Sequence, residues 1–255
     1  MAEWKVDRVK NINEETVMKI LNTYNRFDGN KTSAVELGKC LYESGIYTKS
    51  MDGLSDEEIK KKWGAYIGIF TSNALGYTEY REGICMFNFT PLARQLRDKK
   101  ITYDEYIIKI VSRTQFPKPG GNGEYAPDNV FDKPFIKILK CLYILYFYSE
   151  DQAWIDYYDV IEHLEKQESF KCNYIELCNN ILRDRKNGKE RNIEYKGRDI
   201  FMHKCAETDL ILEKDNVFYL SKNKIDDAKK IVLENENEYF NGEKKEWQSY
   251  WGGEI

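Results

Sequence analysis

Histidine-based acid–base chemistry has few options in this chain. There are two histidines. His163 lies in the acidic stretch IEHLEK and His203 in FMHKC, and among such charged neighbours a salt-paired or edge-of-core imidazole fits both positions better than a general base. The six cysteines, at positions 40, 85, 141, 172, 178 and 205, form no Cys-x-x-Cys pair. That spacing argues against a structural zinc site and for reduced thiols acting as small apolar core groups. Phosphate-loop, dinucleotide-binding, zinc-protease and nucleophile-elbow signatures are all missing. Among the Glu-x-Lys tripeptides that so charged a chain produces by chance, Glu194-Tyr195-Lys196 has Asp184 upstream and Asp128 farther away. A magnesium nuclease uses these types, two acids on the metal and a lysine beside the attacking water. The tripeptide sits in a polar, glycine-bounded segment without the apolar strand that would hold it, so a compact endonuclease using Glu194 and Lys196 stands only as an alternative.

Charge is more informative. The chain carries 39 Lys and Arg against 43 Asp and Glu, a net charge of -4, so local balance matters more than the total. Residues 183–204 hold eight basic side chains against four acids, and residues 91–118 hold seven against three. Residues 149–168, in contrast, have seven acids and one lysine. Basic faces in an acidic protein suit phosphate contacts that orient a duplex while the acidic faces are kept away from it. Arg and Lys read guanine edges, Asn reads adenine, and Ser, Thr and backbone amides fix phosphates. Arg183, Arg185, Lys186, Asn187, Lys189, Arg191, Asn192, Lys196 and Arg198 are therefore the expected DNA contacts of the second half. Thr71, Ser72, Asn73, Arg113 and Gln115 are those of the first. Lys60, Lys61 and Lys62 follow Asp56, Glu57 and Glu58 by one turn, and surface pairing accounts for them equally well.

The elements that must position these residues follow from periodicity. Apolar spacing predicts helices over 14–24, from an N-cap at Ser33 to near Gly45, and from a Ser55/Glu58 capping box through residue 70. Alternation then predicts strands at 77–80 and 84–90, so that three helices precede any strand. The second half repeats the order, with helices over 135–148, 154–166, 174–185 and 200–208, strands at 209–213 and 216–220, and a last helix from Ser221 or Asn223. Between the halves, residues 116–134 (FPKPGGNGEYAPDNVFDKP) hold four of the five prolines. The expected fold is mainly α with small β-hairpins (α+β): two winged-helix DNA-binding subdomains, residues 1–118 and 135–255, joined by a Pro/Gly-rich linker at 119–134. At 42% hydrophobic and 32% charged residues, disorder is excluded. The longest apolar run, interrupted by Lys140, is about half of what a bilayer needs. The polar amino terminus lacks a secretory core, so the cytoplasm is the expected compartment.

Residues 63–119 resemble the recognition region of type IIS restriction endonucleases of the AlwI-like and FokI-like group. The resemblance is carried by Thr90, Ala93, Leu96, Tyr103, Ile107, Phe116, Pro117 and Pro119, with Ala93 standing where a glycine of a tight turn is expected. Ile181 to Arg185 (ILRDR) is similar to the family's Leu-x-x-Arg helix end, and Thr208-Asp209-Leu210-Ile211 to its hairpin entry, where Asp209 again replaces glycine. The resemblance implies recognition of a short, specific site in double-stranded DNA by two winged-helix subdomains. It also implies a separate magnesium-dependent nuclease domain or subunit, with no cofactor and no catalytic residue in this chain. Trp247 and Trp251 leave little room before the end for a nuclease core, and Gly252-Gly253-Glu254 looks like an inter-domain junction. A third reading is a protein-interaction module that presents Trp154, Tyr157 and Tyr158.

Overall fold

A computed structural model describes residues 4, 12–81, 84–116, 132–167, 171–195, 197–240 and 246–253. It forms two compact units, residues 9–106 with 248–255, and residues 1–8 with 107–247.

In the first unit, α1 (Glu14–Tyr24) is capped by Asn13, whose side chain accepts the Thr16 N–H, and it buries Val17, Ile20, Leu21 and Tyr24. A three-residue strand, β1 (Asn30–Thr32), leads to α2 (Ala34–Glu43), capped by Ser33. Helix α3 (Asp56–Ser72) starts in the full reciprocal capping box of Ser55 and Glu58. The hairpin β2 (Gly76–Arg81) and β3 (Ile84–Phe89) then completes an antiparallel sheet of order β1-β3-β2. The sequence expected no strand ahead of the hairpin. Strand β1 was invisible because Asn-Lys-Thr has no alternation, and its place is set by pairing with residues 85–87. Helices α2 and α3 cross closely at Gly38, where a Cβ would stand 2.6 Å from Ile59 Cγ2. The core is aromatic: Tyr24 lies 4.8 Å from Phe70, 5.6 Å from Phe87 and 5.9 Å from Trp63, centroid to centroid.

Helix α4 (Pro91–Arg97) opens with Thr90 accepting the Ala93 N–H. No tight turn forms at Ala93, which sits in the first turn of a helix where alanine is well suited. Arg94 and Arg97 both reach back to Asp28, which also accepts the Phe89 N–H, so one carboxylate ties the α1–β1 connection to α4 and β3. Helix α5 (Tyr103–Arg113) carries the chain into the second unit. Tyr106 donates to Asn73 O in the first unit, whereas Gln115 pairs with Phe240 in the second. The units thus divide at Ile107, ahead of the breaker cluster, most of which (117–131) is outside the described residues.

The second unit begins its core with α6 (Pro134–Tyr148), apolar on nearly every side. Strand β4 (Trp154–Asp156) follows, then α7 (Tyr157–Asp159) continuing as a π-helical turn (Val160–Leu164). The amphipathic pattern of 154–166 had suggested one helix. The start is instead a strand paired with residues 217–219, and Asp156 then caps α7 by accepting the Asp159 N–H. Helices α8 (Tyr174–Lys186) and α9 (Asp199–Ala206) precede the hairpin of β5 (Ile211–Lys214) and β6 (Val217–Leu220). Asp215 and Asn216 both take positive φ, as a two-residue primed turn requires, and the sheet order is β4-β6-β5. Helices α10 (Ile225–Asn235) and α11 (Trp247–Trp251) close the chain.

A fully buried lysine anchors this unit. The Lys137 ammonium donates to Asp132 at 2.9 Å, to Leu164 O at 2.9 Å and to Gln167 O, and lies under the Trp4 ring. Trp4 Nε1 donates to the same Asp132, and its backbone N–H to Glu165. All six cysteines are free, and all but Cys172 are buried. Among the described residues no helix is long and apolar enough to cross a membrane.

Candidate nucleic-acid interface

Helix α8 packs Leu177, Cys178, Ile181 and Asp184 inward, so Arg183 and Lys186 in its last turn point to solvent, where the helix dipole favours positive charge. Gly188, at φ +61°, ends the helix in a Schellman turn: its N–H donates to Arg185 O, and the Lys189 N–H to Asp184 O, each at 3.1 Å. The irregular segment that follows exposes Asn187, Lys189, Glu190, Asn192 and Glu194. Arg183, Lys186, Asn187, Lys189 and Asn192, five of the expected contacts, therefore stand at the surface of one helix end and its exit. Lys196 is outside the described residues.

Three other expected contacts are turned inward. Arg185 donates to Gln152 O, Trp154 O and Asp159 Oδ2 and stacks 3.5 Å over the Trp154 ring, leaving its side chain 9% exposed. Burial lowers its pKa and raises that of Asp159. Arg191 grips Asp156 through two bonds of 2.5 and 2.6 Å and reaches Asp159 Oδ1 at 2.7 Å. Burial alone would depress its pKa, but the two carboxylates outweigh that and raise it. Arg198 makes a buried two-pronged pair with Glu165 at 2.7 and 2.8 Å. The cause is common to all three. The acidic stretch 149–168, read from sequence as a face kept away from DNA, supplies Asp156, Asp159 and Glu165 as their partners. A guanidinium held in this way positions its neighbours and has no free fork for a base edge.

Asp184 is similarly engaged, accepting from Tyr158 Oη at 3.1 Å and Lys189 at 3.1 Å and meeting His163 Nε2 at 3.0 Å. Burial holds the His163 imidazole below its usual pKa. His203 meets Glu213 at 2.9 Å. Among the described residues no three His, Cys, Asp or Glu side chains come together to hold a metal ion. Asp184 is engaged by these neighbours and Glu194 is exposed, while Asp128 and Lys196 lie outside the described residues. The aromatic face expected of an interaction module is also closed, because Tyr157 and Tyr158 are buried and Trp154 lies beneath the two guanidiniums.

Of the contacts expected for the first half, Gln115 is fully buried and pairs both ways with the Phe240 backbone, at 2.9 and 3.0 Å. Arg113 is half-buried near Lys133, whose pKa falls to about 8, first through burial and also through Coulombic repulsion from Arg113. Both belong to the second unit. In the first unit Asn73 is buried as the C-cap of α3, its amide donating to Ile69 O at 2.8 Å, while Thr71 and Ser72 are half-exposed. The outward face of α3 carries Lys61, Gly64, Ala65 and Gly68 at helical spacing, small residues that no motif or charge count singles out. A Cβ on Gly64 or Gly68 would meet nothing within 4 Å, so internal packing does not require either glycine. Gly64→Ala and Gly68→Ala are each expected to stabilise the first unit by about 0.5–1 kcal/mol in denaturant melts. A loss of stability would mean that this face is covered.

No family model matches the chain, and no curated protein does. Its fold is similar to that of a solved structure described as "Crystal structure of pyrene- and phenanthrene-modified DNA in complex with the BpuJ1 endonuclease binding domain". The match has a TM-score of 0.70 at 13% identity and covers 98% of this chain and 96% of the other.

Proposed function

We propose that this chain is the recognition domain of a type IIS-like restriction endonuclease. Each unit acts as a winged helix on a short, specific site in double-stranded DNA, in the cytoplasm. Magnesium-dependent cutting belongs to a nuclease domain or subunit outside the residues described. The observation that carries this reading is likeness of fold, over nearly the whole length of both chains, to an endonuclease binding domain solved on DNA. The order helix, strand, helices and hairpin, with the first strand paired to the last, recurs in both units and supports it.

The exposed end of α8 supplies the chemistry. Arg183, Lys186 and Lys189 meet phosphates, and Asn187 and Asn192 offer amide groups that match adenine edges. In the first unit, Thr71 and Ser72 at the end of α3 serve as phosphate partners.

Replacing both Arg183 and Lys186 by alanine is expected to reduce the slope of log affinity against log salt by about 2, at roughly 0.9 per lost phosphate contact. Binding should weaken about equally on all duplexes. Fluorescence anisotropy across a salt series measures both, and an unchanged slope would refute the assignment of this surface.

A further inference from the structure

Residues 187–195, after α8, have neither helix nor strand, yet they are fastened at three points. Lys189 reaches Asp184 at 3.1 Å. Arg191 holds Asp156 and Asp159 and lies over the Tyr158 ring at 4.7 Å. Tyr195 stacks parallel on buried Tyr157, with ring centroids 4.1 Å apart and planes within 8°. The segment's start is fixed as well, because Arg185 in the last turn of α8 is bonded to the backbone of Gln152 and Trp154 ahead of and within β4. The residues between the fasteners, Asn187, Glu190, Asn192 and Glu194, are exposed.

An irregular loop held in one conformation pays little ordering entropy when it meets a partner. It also presents its polar groups at fixed separations, which discrimination between base edges requires. Four charges are committed to this arrangement, two guanidiniums and two carboxylates, with the buried Asp159 shared by both arginines. A net charge near zero adds nothing to the pull on phosphates. Its contribution is geometric.

We infer that Arg191, with Asp156 and Asp159, is a positioning clasp that pre-organises residues 187–195 as a reading segment. Asn187 and Asn192 determine specificity, while the clasp touches no base. The inference rests on the proposed DNA-recognition function and names the residues that make recognition selective.

Two substitutions separate this role from plain electrostatics, because their charge effects favour DNA or leave it unchanged. Arg191→Lys keeps the positive charge but loses the two-pronged grip. Asp156→Asn removes a negative charge near the proposed interface. Each variant would be compared with wild type on the duplex preferred from a randomised pool, on its single-base-pair variants and on random duplex, across a salt series. Backbone hydrogen exchange of 187–195 and thermal unfolding would be followed in parallel.

In both variants, preference for the selected duplex over its variants should fall about tenfold. Binding to random duplex should keep its salt slope in Arg191→Lys and tighten in Asp156→Asn. Exchange should accelerate across 187–195 while α6 and α8 stay protected. Asn192→Ala should reproduce the loss of preference without faster exchange. A wild-type preference that survives both clasp substitutions overturns this inference alone. A wild-type protein that binds all duplexes alike overturns the proposed function and this inference with it.

Discussion

Lys137→Ala is expected to lower the stability of the second unit by about 3–5 kcal/mol, the usual cost of stranding one member of a buried ion pair. The Lys137 side chain is 0% exposed, and its ammonium is the common donor to Asp132, Leu164 O and Gln167 O. Without it, the Asp132 carboxylate loses its ammonium partner while the Trp4 indole N–H at 2.6 Å stays, and the Leu164 and Gln167 carbonyls lose the ammonium that ties them to α6. A cavity of several methylenes adds to the loss. Denaturant unfolding gives the magnitude, and hydrogen exchange locates it: amides of α6 and of 160–167 should lose protection while those of α3 keep theirs. A change under about 1 kcal/mol would mean that solvent reaches the ammonium after all.

Phe87→Ala should cost the first unit about 3–5 kcal/mol. Phe87 is fully buried at the centre of β3, with ring centroids 5.1 Å from Phe89, 5.6 Å from Tyr24 and 5.7 Å from Phe70. Its ring also roofs Gly76, where a Cβ would meet Phe87 Cζ at 2.9 Å. Large rings thus pack around Phe87 on one side and a glycine on the other, so its removal leaves a void between rigid groups. Phe87→Leu keeps most of the volume and should cost about 1–2 kcal/mol. Equal losses in the two variants would show that the aromatic edge contacts, more than the volume, hold this core together.

The strongly periodic elements were legible in the sequence. The Ser55/Glu58 box, the apolar faces of α1 and α8 and both hairpins are present, each within a few residues of its expected place. Local pattern sufficed there because cap, periodicity and turn chemistry all agree. Strand β1 was missed because its three residues owe their conformation to a partner strand more than fifty positions away. Trp154 to Asp156 carries helical spacing, and it is a strand because of its pairing with β6, which lies outside any local window.

The candidate site was half legible for a related reason. Counting charges located the basic segment, but composition cannot say which guanidiniums face solvent. Asp156 and Asp159 are about thirty positions from the arginines they hold, and only the fold brings them together. Gln115 and Asn73 mislead in the same way. An amide that can read a base edge can equally satisfy a backbone, and both are buried doing so.

The alternation of fastened and free positions after α8 has a practical corollary. Lys189, Arg191 and Tyr195 hold the frame, while the side chains at 187, 190, 192 and 194 are solvent-facing. Those four codons can be randomised together, with the three fasteners left intact, to build a small library whose members keep one scaffold and differ only in the side chains they present, and the duplexes each member retains would test the proposed reading role.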